Sequence, residues 1–176
     1  MISQEEKKRM WMSSQNKIAL RGVMVALAMI FSYIESLVPY PIPGIKLGLT
    51  NIVVLFALYK MGAKDAIAIN FVRIVLVGLT FGNLFSLTYS LAGGMLSAAV
   101  MIVMKKTDKF SVNAVSVAGG IMHNVGQIAV AMFVLQTKAI AFYLPFLWVS
   151  GIGAGVIVGL VGKIVIERIP DKIIRG

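Results

Sequence analysis

A handful of polar side chains stand in stretches of the chain that are otherwise apolar. Asn70 and Arg73 are three residues apart inside one such run, so on a helix they share a face one turn apart. His123, Asn124 and Gln127 fall inside another, with His123 and Gln127 aligned at a four-residue spacing. Glu35 lies near the end of the first run, Lys46 in the Pro-rich stretch that follows, Asn51 at the start of the second run and Asn83 just ahead of the fourth. The chemistry these types support is recognition of an anion. Arg73 keeps its proton and needs a negative partner. Glu35 is the natural one, being the only acidic residue within an expected span away from the inner ends. It can neutralise only one of the two cations Lys46 and Arg73, and the charge left over suits a carboxylate or a phosphate. The competing reading is an Arg73–Glu35 bridge, with the amides and the histidine tying helices together. The expected substrate-binding set is Glu35, Lys46, Asn51, Asn70, Arg73, Asn83, His123, Asn124 and Gln127.

Other chemistries find little support. The chain has no cysteine and one histidine, so thiolate chemistry is excluded and a metal centre is not expected. There is no phosphate-binding loop of the Walker type and no pair of aspartate-rich motifs to hold magnesium against a diphosphate. The carboxylates are too few and too scattered for acid–base work. No catalytic residue, metal or cofactor is expected, and the chain reads as a non-enzyme.

The elements that must position these residues follow from composition. Of 176 residues, 59% are hydrophobic and 14% charged, against about a quarter charged in soluble domains. With a mean hydropathy of +0.89, the solvent that fits is lipid. Apolar runs predict six spans, at about 18–38, 47–61, 66–81, 84–104, 113–135 and 142–166. Spans two and three fall short of the roughly 20 residues that cross the hydrocarbon. The expected fold is an all-α membrane protein, a compact bundle of about six transmembrane helices. Residues 1–16 form an N-terminal segment, 17–168 the six-helix domain and 169–176 a C-terminal tail.

The net charge of +10 is placed as a membrane signal. Basic residues crowd the N-terminal segment, alternate loops and the C-terminal end, while the opposite loops hold only Lys46 and Lys138. This bias predicts a multi-pass plasma-membrane protein with both termini cytoplasmic. No basic stripe interleaves with aromatics, so nucleic acid is not an expected partner.

Small residues recur at four-residue spacing, the pattern that lets helices approach closely. Gly93, Gly94, Ser97 and Ala98 do so in the fourth span, and Gly151, Gly153, Gly155, Gly159 and Gly162 in the sixth. Packing within the monomer is the expected reading for these. In the first span, Gly22 and Ala26, with Ala28 and Ser32, are read as a partner-docking face.

The stretches Tyr33-Ile-Glu-Ser36, Pro43-Gly-Ile-Lys-Leu-Gly-Leu-Thr-Asn51, Phe81-Gly82, Tyr89-Ser-Leu-Ala-Gly-Gly94 and His123-Asn-Val-Gly-Gln127 resemble those of the Gx transporter family, also labelled component I of heptaprenyl diphosphate synthase. The resemblance runs from about Lys17 to Ile166. That family is similar in layout to the S components of energy-coupling factor transporters, which implies capture of a small, anionic, vitamin-like or isoprenoid-related molecule from outside the cell. It also implies a transmembrane coupling protein and two ATPase subunits as partners. Gly22 to Ala26 would match the docking motif of the first helix, although glycine stands where that motif has alanine. The alternative follows from the other label: a non-catalytic membrane subunit of a prenyl diphosphate synthase, whose positive pocket accepts a diphosphate. A purely structural assembly subunit is a third reading.

Overall fold

Apolar segments divided by short polar connections fold as six α-helices among the described residues. The structure, a computed structural model, describes residues 4–38, 48–171 and 174. Helix α1 spans Gln4–Leu37, α2 Leu49–Lys60, α3 Ala63–Thr80, α4 Leu84–Lys106, α5 Val112–Leu135 and α6 Leu144–Arg168. A 3-10 turn at Lys138–Tyr143 leads into α6. Four of these segments are long and apolar enough to cross a membrane: Gln15–Leu37, Leu84–Lys106, Val112–Leu135 and Lys138–Arg168. The protein is thus a multi-pass membrane bundle. The Pro-rich loop and Lys46 lie outside the described residues, as do Met1–Ser3 and most of the tail beyond Asp171. Helix α1 runs from the N-terminal segment into the first span without interruption at residue 16.

The outer surface explains the choice of solvent. Ile67, Phe71, Val72, Leu76 and Leu79 are exposed along one side of α3, and Ile152, Val156, Ile157, Leu160 and Ile164 along one side of α6. A continuous apolar surface of this kind is a liability in water and the normal condition in a bilayer. On α3 the opposite stripe is Ala66, Ile69, Asn70, Arg73, Ile74 and Gly78, spaced as one helical face and buried. The polar residues of this helix therefore point into the bundle.

Helix α2 is the exception that organises the rest. Twelve residues reach only about 18 Å at 1.5 Å per residue, short of a hydrocarbon core about 30 Å thick. Its residues from Ile52 to Leu58 are all buried, so it is apolar all round because protein surrounds it. Helices α2, α3, α4, α5 and α6 pack each against the next, α6 returns to α2, and α1 lies against α2 and α3. The main core gathers Ile52 to Leu55, Leu58, Ile69, Met101, Val115 and Val158 around this short helix.

The α5–α6 contact runs backbone on backbone. A Cβ built on Gly120 would stand 2.5 Å from the Gly151 carbonyl oxygen, and one on Gly155 2.6 Å from the Val117 Cα. Only glycine fits such an approach. The small-residue spacing in α6 thus serves internal packing at Gly151, Gly155 and Gly159, whereas Gly153 faces open space. The four small residues of α1 do not form one face. Gly22 and Ala26 are exposed, while Ala28 is fully buried and Ser32 bonds the Thr50 hydroxyl at 3.0 Å. At 100° per residue, position 28 lies far around the helix from position 22.

Candidate functional site

The N-terminus of the short α2 lies against Glu35 of α1. A cavity of about 150 Å³ opens at that level. Every helix contributes to its wall: Ser32, Glu35 and Ser36 from α1, Thr50 and Asn51 from α2, Arg73 and Val77 from α3, Ser86 and Ser90 from α4, His123, Asn124 and Gln127 from α5, Ser150 and Gly151 from α6.

Glu35 belongs to the α2 terminus. Its carboxylate accepts from the backbone N–H groups of Gly48 and Leu49, the second at 2.9 Å, and from the Thr50 hydroxyl at 3.3 Å. The first N–H groups of a helix lack partners within it and carry partial positive charge, so a carboxylate there is held strongly. Gly48 takes φ +76°, a left-handed conformation natural to glycine, which turns the chain so that two successive N–H groups converge on one oxygen. The far end of α2 is held in the complementary way. The Lys105 ammonium of α4 donates to the Leu58 carbonyl at 2.6 Å and sits 4.9 Å from the Tyr59 ring centre.

Arg73 is therefore not bridged to Glu35. Although both line the cavity, the ion pairs among the described residues are Arg21–Asp65, Lys60–Asp171 and Lys163–Glu167. Arg73 is 8% exposed and donates from Nη2 to the Asn70 carbonyl oxygen at 2.8 Å. Asn70 is itself fixed by donating to the Gly94 carbonyl at 2.9 Å. The Arg73 Nε, buried, has no hydrogen-bond partner, and neither has the buried Gln127 Oε1. Helix α3 thus carries a positive charge into a polar hollow against a neutral amide.

Of the residues expected at the site, Glu35, Asn51, Arg73, His123, Asn124 and Gln127 line the cavity. Asn70 stands behind Arg73 as its support. Asn124 donates to the Leu147 carbonyl and so also ties α5 to α6. Asn83 lies outside: it is exposed, and its carbonyl oxygen caps α4 by accepting from the Ser86 N–H at 2.8 Å. Lys46 falls outside the described residues. Sequence reasoning passed over the hydroxyls of Ser36, Thr50, Ser86, Ser90 and Ser150. Serine is common enough in membrane helices that only the meeting of several helices singles these out. Ser32, read from the sequence as part of a docking face, lines the cavity instead.

Among the described residues, no group of three or more His, Asp or Glu stands together to hold a metal ion. The arrangement suits an anionic head bound by a guanidinium, amides and hydroxyls.

The family model described as heptaprenyl diphosphate synthase component I matches residues 24–165. No curated protein and no solved structure matches the chain. The family match corrects the expectation of an S component of an energy-coupling factor transporter, because the family so described is that of a synthase component. The expected coupling protein and two ATPase subunits are withdrawn with it. The reason the residues misled is physical: a buried cation in a polar hollow specifies an anionic ligand and says nothing about what becomes of that ligand.

Proposed function

The chain belongs to the heptaprenyl diphosphate synthase component I family, and from that premise we propose that it is the membrane-embedded, non-catalytic component of a prenyl diphosphate synthase. It anchors a catalytic partner at the membrane and holds the diphosphate head of an isoprenoid in the Arg73 cavity. The observation that carries this reading is Arg73 itself, buried at the cavity wall with no carboxylate bridged to it. A buried charge with no carboxylate at bonding distance costs several kcal/mol even after relaxation, and Glu35 across the cavity offsets part of that cost through space. A diphosphate would offset that cost with charge-assisted hydrogen bonds from its oxygens to the guanidinium. The amides of Asn51 and Gln127 and the surrounding hydroxyls would complete the shell.

The chemistry of chain elongation falls to the partner. Prenyl transfer uses divalent metal held by carboxylates, and the one carboxylate on the cavity wall, Glu35, is committed to the α2 terminus. With the basic end of the bundle placed at the cytoplasmic face by the charge bias, the cavity lies in the outer half of the membrane. A soluble catalytic partner would then meet the opposite, basic end, which separates anchoring from ligand holding.

The test is purification of the tagged chain from its native membrane together with diphosphate binding. Co-recovery of a soluble prenyl synthase subunit, and binding of prenyl diphosphate that Arg73→Gln abolishes, are the expected results. Loss of neither partner nor ligand in that variant would refute the site, and absence of any synthase subunit would refute the role. Lys138→Cys, in a chain with no native cysteine, should react with an impermeant thiol reagent added outside whole cells.

A further inference from the structure

The cavity is too small for the ligand that its head-binding groups imply. At about 150 Å³ it has room for roughly ten waters, enough for a diphosphate but not for a chain of several isoprene units as well. The chain must lie elsewhere, and among the described residues the cavity wall is exposed at Ser36, Phe81 and Gly82. Helices α1 and α4 both line the cavity, and α1 packs mainly on α2 and α3. Phe81 is the cavity's outermost large apolar residue, and its ring lies 5.3 Å from that of Tyr33 on α1. Phe85, the second residue of α4, stacks on Tyr89 at 5.8 Å. Tyr33, Phe81, Leu84 and Phe85 are all exposed.

Resting on the reading of the cavity as a diphosphate site, we propose that its ligand is a membrane-resident prenyl diphosphate. The head sits at Arg73, and the chain leaves sideways between α1 and α4, past Phe81, into the hydrocarbon. Polar wall and apolar exit are then two parts of one recognition surface. The head is removed from water by Arg73 and the hydroxyls, while the chain keeps the lipid contact that stabilises each of its methylenes. Length selectivity should be weak beyond the point where the chain reaches the bilayer, because further units meet lipid and not protein.

Photolabelling in lipid nanodiscs tests this with the full chain. The probes are farnesyl and heptaprenyl diphosphates bearing a diazirine on the second isoprene unit from the diphosphate, with labelled peptides mapped by mass spectrometry. The expected result is labelling of α1 and α4 around Tyr33, Leu84 and Phe85, reduced about 30-fold or more by Arg73→Gln, as removal of a buried charged partner produces. Arg73→Lys, which keeps the charge, should retain part of it, and circular dichroism should show both variants folded. Arg73-dependent labelling confined to α5 and α6 inside the cavity would overturn the lateral exit and leave the diphosphate site standing. Labelling that ignores Arg73, or none above an unrelated membrane protein, would overturn both.

Discussion

The two ends of this bundle treat their cations differently. At the end where α1 enters, Arg21 is 2.6 Å from Asp65 and Lys60 is 2.7 Å from Asp171, while Lys105 caps α2. Each of these charges holds one helix to another or closes a helix end. At the other end Arg73 is more deeply buried than any of them, yet its described partner is the neutral amide of Asn70. The one carboxylate nearby, Glu35, is spent on backbone N–H groups of α2. The contrast teaches that charge in this protein is structural where it is paired and available for a ligand where it is not. Burial strengthens the second case, because an unpaired charge is costly in a medium of low dielectric and tolerated at the surface.

The comparison can be broken most directly at Arg73. Arg73→Gln should weaken prenyl diphosphate binding by about 30-fold or more, the consequence of removing about 2 kcal/mol or more of buried charge pairing. The same change should leave the ligand-free protein as stable or more so, measured by thermal unfolding in detergent, since a costly buried charge has gone. A marked fall in ligand-free stability would make Arg73 a structural residue like those of the opposite end.

Glu35 sharpens the same point from the other sign. Glu35→Ala should destabilise the bundle by about 2–3 kcal/mol, because buried N–H groups at the α2 terminus lose their acceptor. Affinity should fall less than stability, and a change that altered affinity alone would return Glu35 to the ligand. Next in size is the α5–α6 seam. Gly120→Ala should cost about 1–3 kcal/mol by forcing the helices apart, since its Cβ would meet the Gly151 carbonyl at 2.5 Å. Gly153→Ala, two residues along from Gly151 but facing open space, should change unfolding little. The smallest effect belongs to the exposed pair. Arg21→Ala should cost under about 1 kcal/mol, as surface ion pairs do, and leave ligand affinity at the wild-type value.

Much of the site was readable before the fold, for a simple reason. Lipid makes polar residues conspicuous, so Glu35, Asn51, Arg73, His123, Asn124 and Gln127 stand out in apolar runs, and the structure puts them around one hollow. Asn83 stood out for the same reason and turned out to cap a helix, because asparagine just before a helix serves the N-cap whatever else surrounds it. The hydroxyls were invisible, being ordinary in sequence and unusual only in convergence. On α1 the break of two between Ala26 and Ala28 turns Ala28 into the bundle, while Gly22 and Ala26 stay exposed.

Sequence by itself determined the solvent, the all-α class and the number of helices. These depend on composition and on runs of apolar residues, which are local properties. It also determined that a positive charge would have to be accommodated inside the bundle, since Arg73 lies mid-run and keeps its proton. Tertiary structure alone decided which partner Glu35 takes, and so left Arg73 without a directly bridged carboxylate. That outcome depends on where the short α2 ends relative to α1. The position of a helix terminus inside a bundle is set by packing along its whole length, and no single stretch of residues encodes it.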